Sequence, residues 1–266
     1  MSRLEKTIAA RKAKGQKSFV AYLTAGDPDL DTTPALVHAL VKGGADIIEL
    51  GIPFSDPLAD GPVNQRAAER ALLKGVSLLK ILAAVPKIRA LCPHTPLVVF
   101  SYMNPIYAMG FENFAKRAKE AGIDAVLVVD LPPEESLEYR KILNGHGLDT
   151  VFLASPTSDE TRLALVDSCS SGFVYYVSRT GVTGAQSSIS ESLQTELALV
   201  KKTVKKPVMV GFGVSNAAQA KEISEKADGV IIGSAIVKLI EAARSPSEAA
   251  QNLEAFAKDI RLGLDS

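Results

Sequence analysis

Ile47-Ile48-Glu49-Leu50-Gly51-Ile52-Pro53-Phe54-Ser55-Asp56-Pro57-Leu58-Ala59-Asp60-Gly61-Pro62 reads as a single passage from strand to loop. The apolar run at its start has strand character, and the carboxylate inside that run is out of place in a buried strand. In the loop Pro53, Pro57 and Pro62 remove backbone freedom, while Asp56 and Asp60 add two further carboxylates. A solvated proline turn explains Asp56 as well as a functional role does. It explains Glu49 poorly, because a glutamate between Ile48 and Leu50 must either point out of the strand or be used.

The same strand-then-helix unit recurs in both directions from this stretch. Short runs rich in Val, Ile, Leu and Phe predict strands near residues 19–24, 47–50, 97–100, 125–129, 150–153, 173–177, 208–211 and 229–232. Helical patterns lie between them, near 32–42, 77–91, 111–121, 134–144, 159–168, 190–204 and 217–226. One more precedes the first strand, near 3–14, and another closes the chain, near 246–260. Asp31 and Asn216 read as helix starts, and Gly43, Gly122 and Gly145 as helix stops. Eight parallel, nearly all-apolar strands suit a closed (β/α)8 barrel, the TIM barrel, with an extra N-terminal helix. The alternative is an open doubly wound sheet, but Thr24-Ala25-Gly26-Asp27-Pro28 after the first strand has one glycine and no dinucleotide fingerprint. No linker interrupts residues 1–266, which read as a single domain.

Composition narrows the function. The 266 residues are 47% hydrophobic with formal net charge +0, which allows a full core and gives no basic surface for nucleic acid. Lys201, Lys202, Lys205 and Lys206 close a predicted helix, where cations suit its dipole. Cys92 and Cys169 read as free thiols of a reducing compartment. His38, His94 and His146 never pair at ligand spacing, so no metal is expected. The amino terminus lacks a signal-peptide pattern and no run reaches membrane-span length, so a cytoplasmic, soluble protein is expected.

A barrel of this type works at the carboxyl ends of its strands. Those ends offer Tyr22, Thr24, Glu49, Phe100, Tyr102, Asp130, Ala154, Ser155, Tyr175, Ser178, Gly211 and Gly233, with no lysine, histidine or cysteine. A Schiff-base nucleophile is therefore disfavoured, and Glu49 leads as the proton-transfer group. Gly211-Phe212-Gly213 and Gly233-Ser234 follow strands seven and eight, where barrels commonly hold phosphate, and a short helix starting at Ser234 would aim its amino end at the anion. Simple chain turns are the competing explanation for these glycines. The segment 178–188 is long for a βα loop and reads either as a lid or as a slack surface loop.

Glu49 to Pro62, Ser178-Arg179-Thr180-Gly181-Val182-Thr183-Gly184, Gly211-Phe212-Gly213 and Gly233-Ser234-Ala235-Ile236-Val237 together resemble the tryptophan synthase α-subunit family, across essentially the whole chain. The resemblance implies retro-aldol cleavage of indole-3-glycerol phosphate to indole and glyceraldehyde 3-phosphate, in tryptophan biosynthesis. It implies Glu49 as general acid/base, Asp60 as acceptor of the indole N–H, and Tyr175 as a neighbour orienting Glu49 or the glycerol chain. Tyr22 and Phe100 would flank the indole. Gly184, Gly211, Phe212, Gly213, Gly233 and Ser234 would surround the phosphate, with Thr183 reaching Asp60 from a closed lid.

The resemblance further implies no cofactor in this chain and an α2β2 complex whose β subunit carries pyridoxal phosphate. Asp56, Pro57, Asn104, Pro105 and Pro132 would face that partner. Three residues depart from the family pattern: Tyr22 replaces a usual Phe, Phe100 a common Leu, and Asn64 an aliphatic residue near the indole wall. A stand-alone indole-releasing lyase and a non-catalytic phosphate-binding barrel are the other readings. The pairing of Glu49 with Asp60 argues against the second of these.

Overall fold

The computed structural model describes residues 1–178, 191–211 and 213–266, with backbone only for 191–194. Eight strands form a closed, all-parallel barrel in sequence order: β1 (Ser18–Thr24), β2 (Ile47–Gly51), β3 (Leu97–Ser101), β4 (Ala125–Val128), β5 (Asp149–Ala154), β6 (Val174–Val177), β7 (Val208–Gly211) and β8 (Gly229–Ile232). Pairing of β1 with β8 closes the ring, Ser18 opposite Gly229. All the strands expected from the sequence are present, and the open-sheet alternative is excluded.

Among the described residues twelve α-helices accompany them: α1 (Arg3–Ala13), α2 (Thr33–Lys42), α3 (Pro62–Leu73), α4 (Leu78–Leu91), α5 (Met103–Met109), α6 (Phe111–Ala121), α7 (Leu137–Gly145), α8 (Glu160–Cys169), α9 (Glu191–Thr203), α10 (Ala217–Ser224), α11 (Ser234–Ala242) and α12 (Pro246–Asp265). Two of these, α3 and α5, have no counterpart among the helices expected from the sequence. In α3 the expected loop proline Pro62 is the first helical residue after Gly61, a position that needs no N–H, and Ala67, Ala68 and Ala71 bury one face. In α5 Pro105 sits within the first turn, where proline is also tolerated. Asn216 caps α10 as expected, accepting the Gln219 N–H at 3.0 Å. Asp31 caps nothing in α2; Asp29 instead accepts the Thr32 N–H at 2.7 Å.

Side chains alternate along each strand between two layers. Those facing outward join the helices in one continuous core that includes Ile48, Leu50, Val99 and Val210. Those facing inward, Val20, Ile47, Val98, Ala125, Leu127, Val151, Met209 and Ile231, fill the barrel's lower interior together with Phe173. Leu4 and Ile8 of α1 pack into this inner cluster and stopper its amino end. The helix begins with a reciprocal cap, Ser2 accepting from the Glu5 N–H and Glu5 from the Ser2 N–H.

Carboxylates tie the same end together. Asp46, ahead of β2, accepts the Phe19 N–H at 2.8 Å and the guanidinium groups of Arg11 and Arg261. Asp124, ahead of β4, accepts the Leu97 N–H at 2.9 Å and is paired with Arg3 and Arg89. Asp228, ahead of β8, accepts the Val208 N–H at 2.9 Å and faces Lys201. The lysine cluster is thus structural: Lys206 also donates to the Asp167 carbonyl at 2.6 Å.

Candidate active site

Advancing two residues along each strand from the apolar inner layer reaches the next layer towards the carboxyl ends. It contains Tyr22, Glu49, Phe100, Val129, Leu153, Tyr175, Gly211 and Gly233. Glu49 is therefore neither an outward solvated residue nor an error in a strand; it points into the barrel. Tyr22 is its register partner on β1, and Phe100 is opposite Gly51 on β3.

Glu49 is wholly buried, and neither carboxylate oxygen has a hydrogen-bond partner among the described residues. Burial alone pushes its acid from the ordinary 4.5 up to about 8. At neutral pH such a group holds its proton, the state a general acid needs. Burial, followed by the charges of Glu49 and Tyr22, holds the Tyr175 phenol well above its usual range. Tyr175 lies in the same layer, yet it makes no hydrogen bond to the Glu49 carboxylate.

Asp60 lies at the far end of the loop, just before α3. Its carboxylate accepts the Tyr102 hydroxyl at 2.9 Å, and that hydroxyl in turn accepts the Ala59 N–H at 2.9 Å. Burial raises the Asp60 acid, while the Tyr102 hydroxyl and the Asn64 amide oppose the rise by favouring the charged form. In the sequence Tyr102 stands at a strand end with no visible role. Its phenol is what holds Asp60, a contact across 42 residues that no local pattern announces.

Asp60, Asn64, Phe100, Leu153 and Tyr175 line a cavity of about 690 Å³, a size suited to a small organic ligand. Phe100, in its wall, meets Tyr22 edge to face, centroids 5.1 Å apart. A second cavity of about 400 Å³ adjoins it through Gly61, Asn64, Phe100, Tyr175 and Val177, and continues past Gly211 and Gly213 to Gly233 and Ser234. Gly213 has φ +71°, a left-handed conformation that favours glycine. Gly211 and Gly233 also have steric work to do: a β-carbon at Gly211 would lie 2.7 Å from the Tyr175 hydroxyl, and one at Gly233 3.2 Å from the Tyr22 ring. Ser234 begins α11, so free N–H groups of a nine-residue helix open onto this cavity. Lys238, one turn further on, lines it too and was not anticipated from the sequence.

Thr183, Gly184 and Phe212 lie outside the described residues. Of the residues expected to face a partner, Asp56, Asn104 and Pro132 are exposed, and Pro57 and Pro105 half-buried. Asn104 and Pro105 belong to the first turn of α5. Leu58 and Tyr107, 92% and 67% exposed, accompany them on this face. Among the described residues no His, Cys, Asp and Glu cluster could hold a metal ion.

Fold and site together define an enzyme built on a (β/α)8 barrel, with an elongated cleft running from half-buried Asp60 past Tyr175 to a glycine-lined helix end, and the buried Glu49 carboxyl in the same strand-end layer as Tyr175. The family model described as tryptophan synthase alpha chain matches residues 8–264. The tryptophan synthase alpha chain of Laribacter hongkongensis is 49% identical over 266 residues, covering 100% of both chains. That of Paraburkholderia phymatum is 50% identical, over 100% of this chain and 98% of its own. Among solved structures, the subunit alpha from Legionella pneumophila superposes with a TM-score of 0.92 at 39% identity, covering 100% of this chain and 99% of that one.

The chain belongs to the tryptophan synthase alpha chain family. Its reaction is the lyase step of tryptophan biosynthesis, cleavage of indole-3-glycerol phosphate, and membership implies a β-subunit partner. Among the described residues no helix is long and apolar enough to cross a membrane.

Proposed function

We propose that Glu49 and Asp60 carry this cleavage between them. The supporting observation is the wholly buried, unpartnered carboxyl of Glu49 in the layer just above the apolar interior. Cleavage requires a proton on indole C3 and the loss of one from the adjacent hydroxyl. Glu49, protonated at neutral pH, gives its proton to C3. The resulting cation shares its charge with the ring nitrogen, whose N–H is accepted by ionised Asp60. Glu49, now a carboxylate, takes the hydroxyl proton as the carbon–carbon bond breaks and its electron pair returns to the ring. Indole and an aldehyde are released, and Glu49 ends protonated as it began.

Tyr22 and Phe100 flank the indole in this reading, and Tyr175 borders the glycerol chain beside Glu49. The phosphate rests on the glycine-lined helix end, at Gly213, Gly233 and Ser234, with Gly211 shaping the approach; Thr183, Gly184 and Phe212 complete the site. Residues 1–266 act as one barrel domain in the cytoplasm and carry no cofactor. Asp56, Pro57, Asn104, Pro105 and Pro132 dock a pyridoxal-phosphate β subunit in an α2β2 assembly. The test is indole release from indole-3-glycerol phosphate by the wild-type chain and Glu49→Gln, each with and without a β subunit. Slow release by the wild type that rises with the partner, and silence from the variant in both conditions, is the expected result. Unimpaired release by Glu49→Gln would remove Glu49 from the mechanism.

A further inference from the structure

Arg66 and Arg70 stand one turn apart on the face of α3 that meets α11 and the loop after β1. Arg70 forks onto Asp27 of that loop, Nε to Oδ1 at 2.8 Å and Nη2 to Oδ2 at 2.7 Å, and its Nη1 donates to Glu241 of α11 at 2.8 Å. Arg66 forks onto the same Glu241 at 3.0 and 3.1 Å. Asp27 is almost fully buried, and the Arg70 fork satisfies both of its carboxylate oxygens. Beneath these ion pairs Tyr22, Ala67 and Val237 form a small apolar cluster joining β1, α3 and α11.

The two helices begin in the cleft, α3 beside the larger cavity that Asp60 lines and α11 at the smaller one that Ser234 lines. Asp60 immediately precedes α3, and α11 begins at Ser234, where the anion end opens. A substrate that reaches both ends is bound productively only if their separation is correct, because a displacement of about 1 Å can cost on the order of a hundredfold in rate.

We propose that Arg70, seconded by Arg66 through Glu241, is a positioning residue that sets the distance between the ring end and the phosphate end of the active site. It touches no substrate; it makes the two half-sites act as one.

This inference rests on the assignment of the ring to Asp60 and of the phosphate to the start of α11. Its test compares a linked ligand with its fragments. Calorimetry on the full chain would measure an unreactive indol-3-ylalkyl phosphate, indole alone and glycerol 3-phosphate alone, binding to wild type, Arg70→Met, Arg70→Lys and Glu241→Gln. Arg70→Met is expected to weaken the linked ligand by about tenfold or more while each fragment binds as in the wild type, since only their connection suffers. Arg70→Lys keeps the charge and loses the fork, so it restores part of the effect. Glu241→Gln, which leaves the Arg70–Asp27 fork in place, gives the same pattern with smaller amplitude. Loss of all three ligands together, or unchanged affinity for the linked ligand, would overturn the proposal. Should the two fragments compete with each other on the wild-type chain, the half-site assignment beneath it fails instead.

Discussion

Replacing Glu49 by glutamine removes a titration that the fold makes expensive. In the unfolded chain the acid ionises near its ordinary 4.5; in the folded chain it holds its proton to about 8. Between those values the folded state binds the extra proton, so stability falls as pH rises through that window. At about 1.4 kcal/mol per pH unit the full window is worth on the order of 5 kcal/mol, about 3 of it spent by neutral pH. Glutamine carries no such term. Its buried amide has a cost of its own, but that cost is the same at every pH. Urea unfolding of wild type and Glu49→Gln at about pH 5, 7 and 9 is the assay, read as the difference in unfolding free energy. The difference should move steadily in favour of Glu49→Gln as pH rises, by several kcal/mol in all. Two parallel profiles would refute the argument, because they would mean that Glu49 is as well solvated or paired in the fold as in the open chain.

Other outcomes test the remaining parts of the site. Glu49→Gln should bind substrate and lose turnover by more than about a hundredfold, measured as indole released per active chain. Asp60→Asn should lower kcat by about tenfold to a hundredfold while glycerol 3-phosphate affinity, measured by calorimetry, stays the same. Gly213→Val should raise KM for the phosphorylated substrate and cost about 1 to 2 kcal/mol of stability from its left-handed backbone; an unchanged KM would move the phosphate elsewhere. Asp124→Ala should destabilise by about 3 to 5 kcal/mol in thermal unfolding, because it leaves half-buried Arg89 uncompensated, yet cleavage at low temperature should persist since the clamp lies at the opposite end of the barrel.

The barrel was readable because its strands are short, apolar and separated by helical patterns, and Glu49 stood out because it interrupts one of them. Helix α3 was not, because Pro53, Pro57 and Pro62 look alike in a line of text although Pro62 is a first helical residue and the others are loop. The Asp60 to Tyr102 bond and the Arg70 to Asp27 fork were hidden for another reason: each joins residues more than forty positions apart, and only closure of the ring brings them together. Lys238 carries no local signal at all; it matters only because Ser234 turns the start of α11 towards the cleft. Asn64 did stand out in the sequence, and in the fold its amide favours the charged form of Asp60.

The stopper formed by Leu4 and Ile8 has a bearing on isotopes. With oil-like packing below Glu49 and the narrow end closed by α1, a proton on this carboxyl has no exit downward. It meets bulk water only through the mouth, which the substrate fills during turnover. In the proposed cycle, the hydrogen that Glu49 takes from the glycerol hydroxyl is the one it delivers to indole carbon in the next. Because a glycerol hydroxyl exchanges with water before it binds, the label has to be placed on the enzyme: chain equilibrated in heavy water and mixed with substrate in light water should deliver deuterium to indole in the first turnover alone, in proportion to how briefly the mouth stood open before the substrate filled it.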